Sequence, residues 1–391
     1  LAEAARLQVL LHLRHNRLPA VRIIDPEKFS AIVRYARQTN PFYAEWIPPG
    51  GAIPILTRQV LQKNNDRILN GSPVLGKTSG STGVPVRVST GPGRSRMEAQ
   101  DYRLMINWVG GPLPRVEIVH PQPDRPQHNV VPIHTPLDQQ IAAVAGRAAR
   151  HAAMAIVTYP TNAVLLAQAI LDRRLPFPTI RRVLLMSESI DPGQRALIQR
   201  AFPNAHIWAT YSSVEFGAIS GQCPHEHGFH HIMAHKIGVE ILGDDREPVP
   251  FGQVGQLVLT DYFNRRMPLI RYAIGDLAAF GRCPCGKIPL PAFSQVLGKV
   301  RGSLLHPNGR RIPFVQLSVA LRDLPGMRQF QVIQEELRKF TVKVVGPPEI
   351  DPGIRAAFLQ EFGYPPHLDI VHVEDIPRDP SGKFSISICK V

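Results

Sequence analysis

The segment Gly76-Lys77-Thr78-Ser79-Gly80-Ser81-Thr82-Gly83-Val84-Pro85 carries the clearest chemistry in the chain. Glycine lets a backbone bend sharply and approach a ligand closely. Successive amides can then face inward and hold an anion, and Ser79, Ser81 and Thr82 add hydroxyl donors. Val74 and Leu75 before the segment, with Val86 and Val88 after it, predict a strand, a loop and a strand. The physical reading is a loop that wraps a polyphosphate; its rival is an ordinary flexible surface loop. The Walker A spacing cannot be laid over it. A second set of reactive side chains lies further on. Cys223, His225, His227, His230 and His231 sit within one short stretch, and Cys283 and Cys285 follow later. Thiols and imidazoles together suit tetrahedral Zn²⁺, against the alternative of free cysteines and surface histidines.

Elements able to position these groups follow from periodicity. Residues 1–70 read as mainly helical, with Ile32–Arg37 and Arg58–Ile68 as segments and Pro41-Phe42-Tyr43 as a loop anchor. Met97–Val109 reads as a helix whose Tyr102 and Trp108 either line a pocket or fill core. Strands and helices then alternate. Val116–Val119, Ala155–Thr158, Arg182–Met186 and His206–Ala209 are the strands; Gln139–His151, Ala163–Leu171 and Pro192–Ala201 are the helices. Such alternation predicts an α/β fold with a mostly parallel sheet. Ligands in these sheets bind beyond the carboxyl ends of strands. Ser187-Glu188-Ser189 and Tyr211-Ser212-Ser213-Val214-Glu215 fall at such ends. From Val239 the pattern becomes β-rich, with strands at Val239–Leu242, Gly255–Thr260 and Leu269–Tyr272. Beyond about residue 300 comes a small α+β segment: strands Phe330–Gln334, Phe340–Val345 and Leu368–Val373, and helix Gly353–Phe362.

Composition bounds the function. A chain of 391 residues with 44% hydrophobic and 19% charged residues is globular and long enough for two domains. No apolar run is long enough to cross a membrane. Arg6 and Arg14 in the amphipathic start, and the lack of a cleavage site, argue against a secretory signal. The formal net charge of +14 favours anionic ligands such as nucleotides or coenzyme A. Nucleic acid is disfavoured because no basic run is interleaved with aromatics. Four cysteines in so long a chain fit free thiols or a metal site in a reducing cytoplasm.

In order along the chain, these motifs resemble the adenylate-forming enzymes, and best the phenylacetate–CoA ligase-like branch, from about residue 74 to the end. The resemblance implies a large domain over residues 1–299, with mostly parallel sheets and a β-rich subdomain, and a small mobile α+β domain over 300–391. It implies activation of a carboxylic acid, expected to be aromatic, by ATP and Mg²⁺ to an acyl adenylate, with release of pyrophosphate. The acyl group then passes to coenzyme A; an amine or a carrier-protein thiol is the alternative acceptor. A nucleotide-binding protein impaired in catalysis is the rival of another class. Thr78, Ser79, Gly80, Ser81, Thr82 and Gly83 match the loop around the β- and γ-phosphates. Ser187, Glu188 and Ser189 match the stretch along the adenine. Tyr211 matches the aromatic stacked on adenine, with Ser212 beside it, and Glu215 the carboxylate that holds Mg²⁺. Asp276, in Arg271-Tyr272-Ala273-Ile274-Gly275-Asp276, matches the ribose ligand, and Lys383 the lysine that meets the reacting carboxylate and α-phosphate.

Three positions depart from the family pattern. Val214 stands where Thr or Ser is usual, Lys299 where an arginine is expected at the domain junction, and Gly302 at the hinge. Some members of this branch carry a zinc cluster at the two Cys/His places. The resemblance selects Cys223, His230, Cys283 and Cys285 as a structural Zn²⁺ set, with His225 and His227 as alternatives, and it suggests a homodimer.

Overall fold

Proline opens the helices Pro26–Thr39, Pro41–Trp46, Pro92–Trp108 and Pro160–Asp172, at positions where its missing N–H would have no helical partner anyway. Asp25 and Asn40 cap the first two through Lys28 N (3.1 Å) and Phe42 N (3.0 Å). The expected loop anchor at Pro41 is therefore a short helix. Tyr43 on it is buried and donates to the Pro268 carbonyl, so it does anchor the segment. The computed structural model describes residues 21–391 except 79–84, 121–128, 189, 191, 227, 244, 300–303, 313, 315–316, 318–319, 322–323 and 378–386.

The chain forms two compact units. The first joins the residues up to Leu113 with Trp208–Val296; the second joins Pro114–Ile207 with Leu297–Val391.

In the first unit the strands lie in the order Arg22–Ile23, Ile237–Leu242, Gly255–Asp261, Tyr272–Gly281, Ala292–Lys299, His230–Ile232, Gly217–Gln222 and His206–Ser213. Arg22–Ile23 through Tyr272–Gly281 pair antiparallel in that order, as do Ala292–Lys299 through His206–Ser213. The expected strand at Leu269–Tyr272 starts instead at Tyr272, because Arg271 adopts φ +46° and breaks the extended backbone. That conformation is held by a paired contact of the Arg271 guanidinium with both Glu240 carboxylate oxygens, at 2.8 and 3.1 Å. Under this sheet lies an apolar core that includes Phe42, Leu56, Phe216, Leu259, Tyr272 and Phe293.

In the second unit Val130–Pro132, Arg115–Val119, Met154–Thr158 and Ile180–Leu185 form parallel ladders in that order. Helices Leu137–Ala148 and Pro160–Asp172 connect the last three in sequence, and Pro192–Ala201 follows Ile180–Leu185. Met154–Thr158 is buried throughout, as a strand covered on both faces must be. The C-terminal segment has the sheet order His367–His372, Lys339–Val345, Gln329–Glu336, Ser387–Cys389. Among the described residues its core, including Phe314, Phe330, Phe340, Phe358 and Phe362, is built from Leu304 onward. The mixed α/β class expected from the sequence holds. Among the described residues, no helix is long and apolar enough to cross a membrane.

Candidate active site and metal cluster

Two irregularities in the first unit's ladders aim the candidate site. The hairpin of His206–Ser213 with Gly217–Gln222 slips register between Tyr211 and Ser212. The strand carrying Asp276 sets Ala273–Leu277 against only Gln256–Val258 of its partner. Extra residues of this kind push a strand outward and redirect its side chains. Gly275 supplies the φ of +89° this needs. The result brings Tyr211 to Asp276: the phenol donates to Asp276 Oδ2. Burial, then the Asp276 charge, then that of Glu215 push the Tyr211 hydroxyl well above its ordinary pKa. It therefore stays protonated and serves as a fixed donor.

Glu215 sits buried in the turn of the same hairpin. Gly217 permits that turn with φ +61°, and a Cβ there would lie 2.7 Å from the Glu98 carboxyl and 2.8 Å from Arg94 Nη2. The turn rests on buried cations. Arg94 Nη1 donates to the Glu215 carbonyl at 2.8 Å. Lys236, with no exposed surface, reaches the Ala218 carbonyl and pairs with the equally buried Asp101 at 2.7 Å. His235 Nε2 lies 2.6 Å from the other Asp101 oxygen. Removing one partner of such a pair strands the other charge. Asp101→Asn is therefore expected to cost about 3 kcal/mol, read as a lowered urea midpoint; an unchanged midpoint would show that Lys236 does not depend on this carboxylate.

Thr78 is held where the Gly76–Lys77 and Arg87–Val88 strands pair. Its amide donates to Val86 O (2.9 Å), and its hydroxyl accepts from Val86 N (3.0 Å). That hydroxyl also accepts from Arg58 Nη2 at 3.0 Å, and Arg58 Nη1 lies 3.6 Å from Glu215 Oε1. Arg58 thus ties the expected start of the phosphate loop to the expected magnesium ligand. The sequence offered no signal for it beyond its place opening a short helix. The rest of the loop, Ser79–Gly83, lies outside the described residues, as do Ser189, His227, Gly302 and Lys383; only the backbone of Lys299 is described.

In the second unit Ser187 takes φ +66°, a strained backbone for a residue with a side chain. Glu188 beside it accepts from the amide (2.9 Å) and hydroxyl (2.6 Å) of Thr161. One oxygen of its carboxylate, Oε2, thereby caps the first turn of the helix Pro160–Asp172.

The residues expected to hold a metal converge, with one difference in the imidazole. The ligand atoms of Cys223, His231, Cys283 and Cys285 all lie within 4.8 Å of one another. The imidazole is His231, not the expected His230, because neighbouring strand residues face opposite sides. His231 pairs with Gly221 and Ala292 in register, and His230 with Gln222 and Phe293. His231 Nδ1 lies 3.1 Å from the Leu290 carbonyl, which fixes Nδ1 as the protonated nitrogen and leaves Nε2, 3.7 Å from Cys285 Sγ, free to ligate. Burial, partly offset by the Leu290 carbonyl, lowers the His231 pKa and keeps the ring neutral. Burial and the neighbouring thiols push Cys283 up to about 12. For Cys285 burial is outweighed by the amides of Lys287 and Ile288 and by the other two thiols, and its pKa falls. Three sulfurs and one imidazole fit a closed tetrahedral zinc site. Trp108, a candidate pocket residue, packs edge-on against His231 at 5.8 Å.

The scaffold that holds the tyrosine–aspartate pair and the glutamate turn has the fold of the adenylate-forming ligases. A solved 2-hydroxyisobutyryl-CoA ligase with a bound acyl adenylate superposes with TM-score 0.73 at 16% identity, covering 93% of this chain and 88% of that one. The amide bond synthetase of Marinactinospora thermotolerans gives TM-score 0.55 at 16% identity, over 84% and 77%. Residues 304–390 match the family described as CapK C-terminal domain. Phenylacetate-coenzyme A ligase of Thermus thermophilus is 33% identical over 98 residues; the match spans 23% of this chain and 22% of that ligase.

Proposed function

We propose that the protein activates a carboxylic acid with Mg²⁺·ATP, releases pyrophosphate from an acyl adenylate and passes the acyl group to coenzyme A. The observation that carries this reading is one cluster. Asp276 and Glu215 both act on the Tyr211 hydroxyl, and Glu215 shares Arg58 with Thr78. That cluster supplies a ribose acceptor, an aromatic face for adenine, a hard anionic oxygen for Mg²⁺ and the start of a phosphate loop. The family resemblance adds Ser212 beside the aromatic, and Ser187, Glu188, Ser189 and Lys299 as further nucleotide contacts. Lys383, delivered by the domain 300–391, neutralises charge that builds on the α-phosphate and the acyl oxygen during transfer. The acid is proposed to be aromatic. Zn²⁺ on Cys223, His231, Cys283 and Cys285 is structural, because four protein ligands leave no open position. Reduced thiols of this kind belong in the cytoplasm.

Pyrophosphate exchange into ATP, run against a panel of aromatic and small aliphatic acids, tests the reading. Exchange with at least one acid supports it. Exchange with none would favour the impaired nucleotide binder, in which Val214 at the phosphate turn replaces a hydroxyl. Adding coenzyme A, amines or a carrier thiol and weighing the product then identifies the acceptor. A smaller effect is expected at the adenosine end. Tyr211→Phe keeps the ring but removes the donor to Asp276, and should raise the KM for ATP about 5-fold with kcat little changed. An unaltered KM would remove the pair from the nucleotide site.

A further inference from the structure

Arg58 is a fork only partly used. Its side chain is 15% exposed, Nη2 is spent on Thr78, and Nη1 faces Glu215 across 3.6 Å, longer than a hydrogen bond. Its Nε is buried and has no hydrogen-bond partner among the described residues. A buried donor left idle is unfavourable unless something completes it. The guanidinium plane matches phosphate oxygens better than any other side chain.

We propose that Arg58 is a ligand of the ATP β- or γ-phosphate, and that in the empty protein it stands in for magnesium at Glu215. The proposal rests on the reading given under Proposed function and adds a residue to it. The charge balance is simple. Without nucleotide, the buried Glu215 carboxylate takes its countercharge from Arg58. Mg²⁺ held at Glu215 with ATP would supply that countercharge, leaving the Arg58 fork free to offer its idle N–H to a phosphate oxygen. Thr78 keeps the guanidinium within reach, because its hydroxyl is itself fixed by the Val86 amide. A purely structural Arg58 would instead hold the loop start and the glutamate together whatever is bound.

The two roles separate by comparing nucleotides that differ in phosphate number. Full-length Arg58→Met and Arg58→Lys proteins would be titrated calorimetrically with ATP and with AMP, both with Mg²⁺. The expected result is an ATP Kd raised at least 10-fold in the Met variant and about 3-fold in the Lys variant, with the AMP Kd within twofold of wild type in both. Should the Met variant fail to fold, the Lys variant alone carries the same comparison. Equal losses for ATP and AMP, or no loss for either, would overturn the assignment while leaving the nucleotide site standing. A wild-type protein that binds neither nucleotide would overturn the assignment and the ligase reading together.

Discussion

Glu215→Gln should lower acid-dependent pyrophosphate exchange by about 10³-fold, roughly 4 kcal/mol of transition-state stabilisation, without unfolding the protein. The size follows from what an amide cannot do. A glutamine has the same shape, but it offers Mg²⁺ a neutral oxygen where the hard cation requires an anion. The fold should survive because the turn hangs on its backbone. Arg94 holds the Glu215 carbonyl and Lys236 the Ala218 carbonyl; neither bond involves the carboxylate that is changed. AMP affinity should be close to wild type, since Tyr211 and Asp276 are untouched, while the concentration of Mg²⁺ giving half-maximal exchange should rise. A variant with unchanged exchange at every Mg²⁺ concentration would show that another group holds the metal.

How much of this was readable beforehand depended on whether the deciding interaction was local. The parallel block was legible because each strand is a short apolar run set between helices of 3.6-residue period, and Met154–Thr158 needs no alternation to read as a buried strand. Val130–Pro132 was missed: three residues ending in proline carry too little pattern, and only pairing with Glu117–Val119 makes them a strand. The strand start at Tyr272 was misplaced because the Arg271 conformation is set by Glu240, far away in sequence. The choice between His230 and His231 turned on ladder register, which adjacent histidines do not reveal. Arg58 was the largest omission at the site. It reads as an ordinary first-turn arginine, and its meaning comes from Thr78 and Glu215 on other elements. Glu188 shows the reverse: a residue chosen for its place at a strand end, whose side chain caps a helix.

The purified protein should contain about one zinc per chain, and Cys283→Ser should abolish it. The cluster joins the end of strand Gly217–Gln222, the strand His230–Ile232 and the loop after Tyr272–Gly281. Three thiols packed this closely favour the metal, because protonated they compete for hydrogen bonds, whereas ligation releases the protons and binds all three at once. Losing the ion then frees two loops together and leaves three sulfurs facing one another. A cost of about 5 kcal/mol is expected, seen as a fall of roughly 10 °C in the melting temperature of the variant or of chelator-stripped protein. The histidines supply the control. His231→Ala should lose the zinc and the stability with it, because Nε2 of that ring is the free ligand. His230→Ala should keep the zinc, because that residue lies on the opposite face of the same strand. Loss of zinc from the second variant but not the first would mean that the register of His230–Ile232 is shifted by one residue. Full stability in a metal-free protein would mean that the cluster is held by packing alone.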